Sequence, residues 1–190
     1  MPNILSRLRA TSLITCCALA LMQTPAHAEL TVEITGAGAN RIPIAIADFG
    51  GEPGSSRAIT NVIRSDLERS GVFRLIDTAG AAMTEATTPA FSDWKARGAD
   101  ALSAGSISRS PDGRLDSRFR LYDTNKQTTL AGASYATSAQ MLRIAGHRIA
   151  DVIYEKLTGE PGVFSTRIAY VVKGGPNRYE LFIADADGQN

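Results

Sequence analysis

The chain has 190 residues, with 20 Lys and Arg against 19 Asp and Glu and a formal net charge of +1. That length suits one domain of ordinary size with a small appendage, and the even charge removes the sequence argument for nucleic-acid binding, which needs a basic patch or stripe. Apolar residues at 44% and charged residues at 21% match a globular protein and argue against a disordered chain.

The first 28 residues read as an export signal. Arg7 and Arg9 give a positive start, and Ala10 to Met22 is an uncharged, mostly apolar stretch of 13 residues, well short of the roughly 20 that span a bilayer as a helix. Thr24-Pro25 breaks it, and Ala26-His27-Ala28 is a cleavage site of the small-x-small type. Cleavage after Ala28 removes Arg7, Arg9 and no acidic residue, leaving 18 basic against 19 acidic side chains, and takes both cysteines, Cys16 and Cys17. Thr15 stands where a lipoprotein signal wants Gly, Ala or Ser. The mature chain then has no disulfide and no thiolate ligand, and no other segment is apolar enough to cross a membrane. A product that is soluble outside the cytoplasm, and not membrane-inserted after signal cleavage, is expected.

Glu29 to Ile34 alternates, with Leu30, Val32 and Ile34 apolar and Thr31 and Glu33 polar, which is a short strand pattern. The Gly36-Ala37-Gly38-Ala39-Asn40 joint makes residues 29–40 a flexible arm. Ile42 to Phe49 is a nearly continuous apolar run, as in a strand covered on both faces. Gly50 to Ser56 reads as a loop and Arg57 to Ser70 as a helix with Ser55 or Ser56 as N-cap, Gly71 as stop, and Ile59, Val62, Ile63 and Leu67 in one stripe. Val72 to Ile76 is a second buried strand, so the order suggests a βαβ unit. Thr78 to Pro89 reads as loop, and Phe91 to Arg97 as a helical turn burying Trp94.

Ala101 to Arg109, Leu115 to Asp123 and Thr128 to Thr137 form an antiparallel meander, turned at Ser110-Pro111-Asp112-Gly113 and Asp123 to Lys126. In its middle strand Phe119 and Leu121 share one face, and Arg118, Arg120 and Tyr122 the wet one. A long helix covers Ala139 to Leu157, with Leu142, Ala145, Ile149, Ile153 and Leu157 on one side and Arg143, His147, Asp151 and Glu155 on another, ended by Gly159 and Pro161. Thr166 to Val172 and Tyr179 to Ala184 are two further strands joined by Lys173 to Asn177. Two strands alone are marginal in water, so the chain is expected to be a fragment that ends inside a second, all-β domain.

No chemical site rises from these residues. Gly50-Gly51-Glu52-Pro53-Gly54-Ser55-Ser56 lacks the Gly-Lys-Ser/Thr ending of a phosphate loop, and Glu52 carries the wrong charge; it reads as a tight turn. Asp48-Phe49-Gly50 matches the kinase metal triad in letters only. His147, the one histidine after cleavage, stands four residues before Asp151 within reach of a carboxylate, but no G-x-S-x-G elbow accompanies it and Gly105-Ser106-Ile107-Ser108 lacks the second glycine. A structural or surface histidine is the reading. Asp185-Ala186-Asp187-Gly188 opens like a calcium loop, yet its glycine comes too early and no Glu follows, so it reads as a β-turn. With one histidine and no cysteine, a transition-metal site needs mostly carboxylates. No catalytic residue, cofactor site or metal site is expected. The arm, by contrast, can add to another protein's sheet edge through backbone hydrogen bonds, with alternate side chains in pockets; the same pattern also fits a strand of the chain's own sheet.

Arg143-Ile144-Ala145-Gly146-His147, Tyr154-Glu155-Lys156-Leu157-Thr158-Gly159, Gly162-Val163-Phe164 and Thr166 to Val172 (TRIAYVV) resemble, in order and spacing, the junction between N-terminal domain and β-propeller in the TolB family of the Tol-Pal system. Tyr179-Glu180-Leu181 and Asp185 to Gly188 resemble its first propeller blade, and the Arg41-Ile42-Pro43-Ile44-Ala45 strand also fits. The resemblance implies an α/β fold, an α+β sandwich of helices on a mixed sheet similar to anticodon-binding domains, over residues 41–161, followed by an incomplete β-propeller blade over 162–190. It implies a monomeric, non-enzymatic periplasmic adaptor, with no nucleic acid, that links TolA at the inner membrane to the lipoprotein Pal and supports outer-membrane integrity and cell division. The partner-binding residues carried over are Glu29, Leu30, Thr31, Val32, Glu33 and Ile34, facing the C-terminal domain of TolA; the family's Pal surface lies on the propeller. Two other readings are an exported, propeller-bearing hydrolase like prolyl oligopeptidases, cut before its catalytic domain, and a regulator of envelope synthesis. Mass spectrometry of the exported protein is expected to place its first residue at Glu29; a product retaining residues 1–28 in the membrane fraction would contradict the signal assignment.

Overall fold

The structure is a computed structural model that describes residues 41–189. The apolar run from Ile42, expected as one strand, is broken at Ala47 into β1 (Ile42–Ile46) and β2 (Asp48–Gly51). Both run parallel to β5 (Ala101–Arg109), with Ile44 opposite Ala101 and Gly50 opposite Ser106. The Ala47 N–H donates to the Ser103 carbonyl at 2.9 Å, so the inner edge is unbroken. The break lies on the outer edge, where β1 pairs in parallel with β3 (Phe73–Ile76) and β2 with β4 (Ala82–Met83). One path through the sheet therefore changes its outer neighbour at Ala47.

Helix α1 (Pro53–Arg69) starts four residues before its expected beginning, and Glu52, not Ser55 or Ser56, is its N-cap residue. Proline in the first turn carries no N–H to leave unsatisfied and already has a helical φ. The serines do other work. Ser56 Oγ donates to the Gly50 carbonyl at 2.8 Å, and Thr60 Oγ1 donates to Ser56 O while accepting the Phe49 N–H. They tie the helix back onto β2 instead of capping it. Gly71, at φ 73°, ends the helix where expected.

The meander forms as read: β5, β6 (Leu115–Asp123) and β7 (Thr128–Thr137) pair antiparallel and complete a seven-stranded mixed sheet. Alternation along the strands builds two cores. Ile44, Ile46, Phe49, Phe119 and Leu121 face α1 and α3 (Leu142–Thr158), the latter entered through a 3₁₀ turn at Ala139–Met141. Ala45, Ala47, Leu102 and Ala104 face the other way, under Trp94 of the short α2 (Phe91–Ala96). Tyr122 departs from the expected wet face. It is buried in this second core, its ring edge-on to Phe91 at 5.8 Å and its hydroxyl donating to the Glu85 carbonyl at 3.3 Å. Arg118 and Arg120 beside it are exposed as expected. Gly146 on α3 lets the two long helices close, since a Cβ there would come within 2.9 Å of Val62 on α1.

Gly159 at φ 82° ends α3. Tyr154 near that end meets Phe73 at 5.9 Å and Phe164 at 5.7 Å, both edge-on. Beyond it β8 (Arg167–Gly175) and β9 (Arg178–Asp185), longer than expected by a few residues, form a separate two-stranded antiparallel sheet.

Gly51 combines φ 98° with a position where an added Cβ would overlap the Ile107 carbonyl, whereas Gly113, at φ 82°, faces open space. Gly51→Ala is expected to cost about 3 kcal/mol or more, since backbone strain and overlap act together, against about 1 kcal/mol for Gly113→Ala. Urea unfolding midpoints of the two variants check the difference.

Candidate functional site

His147 does not lie on a polar face of α3 with Asp151, as the helical spacing predicts. It is buried, 1% exposed, and faces α1. The stripe Leu142, Ala145, Ile149 and Ile153 meets the sheet, but the helix is also covered from a second side, so Gly146, His147 and Ala150 are buried as well. Asp151 turns instead to the loop after the helix, where its carboxylate accepts the Phe164 N–H at 2.6 Å and the Ser165 N–H at 3.1 Å.

The partner of His147 is Asp66, itself 1% exposed on α1. Asp66 Oδ2 lies 2.6 Å from His147 Nδ1, and a carboxylate oxygen there accepts the ring N–H. Its other oxygen accepts from Arg69 at 2.6 Å. That fixes the ring, and Nε2 points away from α1 toward the turn that follows β9. Nε2 is buried with no hydrogen-bond partner among the described residues; Asp187 Oδ2 lies 3.9 Å from it. The Arg143 guanidinium, one turn earlier on α3, pairs with the same Asp187 oxygen. The turn is closed on itself: Asp185 N–H donates to Gln189 O, Gly188 N–H to Asp185 O, and Gln189 N–H to Asp187 Oδ1 at 3.1 Å. Asp185, 4% exposed, has Arg167 Nε at 3.6 Å. Burial pushes the Asp187 carboxyl up, but the Gln189 N–H, the Arg143 guanidinium and the nearby His147 ring outweigh it and hold the group below its usual 3.8. Ligand atoms of His147, Asp185 and Asp187 all lie within 4.8 Å of one another. Here α1, α3 and the hairpin turn meet through polar side chains.

The remaining sequence candidates fall elsewhere. In the Gly50 to Ser56 turn Glu52 pairs with Arg109 at 2.7 Å and 3.0 Å and its N–H donates to Ile107 O, so the turn carries a carboxylate and no lysine for an anion. Gly105 packs beneath the Phe49 ring, and Ser106 Oγ donates to Glu85 at 2.6 Å, so no nucleophile stands beside His147. Glu29, Leu30, Thr31, Val32, Glu33 and Ile34 lie outside the described residues.

The hairpin presents a second feature. Ile168, Tyr170, Val172 and Phe182 share one face, with Tyr170 and Phe182 stacked at 5.5 Å. Val171, Tyr179, Leu181 and Ile183 share the other, and all eight are exposed, Leu181 to 69%. A sheet apolar on both faces belongs to the interior of something larger.

The sequence singles out His147 and the Asp185 to Gly188 turn separately but misses Asp66 and the link between them. A signal was available: Ile59, Val62, Ile63, Asp66 and Leu67 follow one helical stripe, and a carboxylate in such a stripe needs a buried partner.

Helix-backed mixed sheet, buried His–Asp lock and trailing two-faced hairpin together define an α/β domain built to hold a β-structure at its end. Residues 30–130 match the family model described as the TolB amino-terminal domain. The chain is 61% identical over 165 residues to the Tol-Pal system protein TolB of Dechloromonas aromatica (strain RCB), covering 87% of this chain and 38% of that protein. It is 54% identical over 190 residues to that of Aromatoleum aromaticum (strain DSM 19018 / LMG 30748 / EbN1), covering 100% and 44%. The crystal structure of TolB from Acinetobacter baumannii superposes with a TM-score of 0.67 at 36% identity, covering 79% of this chain and 37% of that one. The chain belongs to the TolB family, and it spans about two fifths of the length of the curated relatives it matches.

Asp66→Ala leaves the buried His147 Nδ1–H without an acceptor, and is expected to cost about 3 kcal/mol or more; Asp66→Asn, which keeps an acceptor oxygen, costs less. Urea unfolding separates them. Because the folded Asp187 carboxyl sits below its usual value, it contributes stability above about pH 3.8, lost as pH falls through the lower folded value. Asp187→Asn is expected to remove that part of the acid transition, read from unfolding midpoints between pH 6 and 2.

Proposed function

We propose that the chain is an adaptor of the Tol-Pal system that works by protein–protein contact and transforms no substrate. The observation that carries this reading is the β8–β9 hairpin, whose two apolar faces are exposed while most other apolar side chains among the described residues fill two closed cores. Such a sheet calls for protein on both sides, not for a small molecule. We take it as the opening of a first β-propeller blade, with residues 41–161 as the α/β domain and 162–190 as the propeller's start. The greater length of the relatives, of which this chain spans 38% and 44%, supports that division.

In this reading the protein is exported and cleaved after Ala28, and acts in the periplasm as a monomer. No helix among the described residues is long and apolar enough to cross a membrane. Glu29 to Ile34 adds as a strand to the sheet edge of the TolA C-terminal domain, with Leu30, Val32 and Ile34 in its pockets. The propeller surface faces Pal, and the bridge supports outer-membrane integrity and cell division. Family membership supports both partners. Among the described residues His147 Nδ1 is committed to Asp66 and Nε2 meets no hydroxyl, so no Ser–His–Asp relay forms around it there.

Titration of the purified chain with the TolA C-terminal domain tests the arm. Deleting residues 29–34 is expected to weaken binding by tenfold or more; unchanged affinity would overturn the assignment.

A further inference from the structure

We propose that His147 Nε2 and the carboxylates of Asp185 and Asp187 form a binding site for a divalent transition cation, zinc being the best match. Two independent observations converge. Three ligand groups from α3 and the hairpin turn lie within 4.8 Å of one another. Separately, Nε2 of a histidine that is 1% exposed has no hydrogen-bond partner among the described residues and points at those carboxylates.

The imidazole is prepared as a ligand. Asp66 accepts the Nδ1 proton at 2.6 Å, which leaves the lone pair on Nε2. A carboxylate behind a metal-bound histidine is the usual orienting arrangement. Without a cation that lone pair faces a carboxylate oxygen across 3.9 Å, too far for a hydrogen bond. Zinc bonds of about 2.0 Å to nitrogen and to oxygen at a tetrahedral angle leave about 3.3 Å between the two ligand atoms, so the gap closes by roughly half an ångström. One nitrogen and two carboxylate oxygens, with a fourth position for water, suit zinc better than magnesium or calcium, which take oxygen alone.

The charges nearby set the strength. Arg69 faces Asp66, Arg143 faces Asp187 and Arg167 faces Asp185. Arg143 holds the Asp187 oxygen nearest Nε2 and must give way to the cation. Its side chain is 30% exposed, so the guanidinium can turn toward solvent, at a cost in affinity. The cation would hold the turn after β9 to α3, and hence the hairpin to the helical layer.

Isothermal titration of the metal-stripped chain with zinc chloride at neutral pH is expected to give one saturable site, with magnesium chloride giving none. Asp185→Asn and Asp187→Asn are each expected to weaken zinc binding tenfold or more, while Asp112→Asn, on an exposed hairpin turn, leaves it unchanged. Nitrogen-15 NMR of the unmodified chain is expected to show the His147 Nε2 resonance shifting with zinc while Nδ1 stays protonated. No saturable binding, binding that survives the Asp185→Asn/Asp187→Asn pair, or an Nε2 that is protonated and indifferent to zinc would each overturn the proposal. The TolA titration above involves none of these residues, so either result can fail alone.

Discussion

The contact between Asp66 and His147 decides how the two long helices sit. Each side chain is almost fully buried, and either alone would be an uncompensated polar group in the layer that covers the sheet. Paired, they fix the rotation of α3 about its axis, because Nδ1 must face α1. That rotation places Gly146 against Val62, Ile149 and Ile153 on the sheet, Asp151 at the amides after the helix, and Nε2 toward the hairpin turn. The apolar contacts supply the bulk of the stabilisation but are tolerant of small rotations; the hydrogen-bonded pair is not.

Much of the α/β part was legible in the chain. Turn residues at Ser110 to Gly113 and Asp123 to Lys126 located β5, β6 and β7 to the residue, and period-two alternation marked β6, which has one buried face. The misreadings share a cause: tertiary covering from a side the local pattern cannot encode. Tyr122 alternates correctly with Phe119 and Leu121, yet α2 buries the face on which it sits. His147 stands at a proper polar spacing on α3, yet α1 covers that flank. Helix α1 begins at Pro53, and Ser56 and Thr60 bond back to β2 across the turn, an interaction that only the assembled strand supplies. Asp66 was hidden by treating charged residues as surface residues, and the break at Ala47 by the absence of any sequence mark for a change of neighbour. The arm at Glu29 to Ile34 carries a pattern that fits either a neighbour's sheet or its own, so alternation names its conformation and not its partner.

Family membership and the hairpin complement each other. The relatives place this chain in the Tol-Pal system protein TolB family, and β8 and β9 bury little of the apolar surface they carry. The polar cluster at the root of the hairpin then has a mechanical meaning. The Arg143–Asp187 pair ties the turn after β9 to the same helix that α1 grips.

Strand β5 bears on its one edge both halves of the broken path, β1 and β2, and on its other the meander beginning with β6. In the sheet, the strands before it and the meander after it therefore meet on a single ribbon of nine residues. Such a spine ties the fate of the amino-terminal and carboxy-terminal portions together: neither half retains a closed core once the other is lifted away, and the amides of Ala101 to Ile107 become the last in the sheet to exchange with solvent.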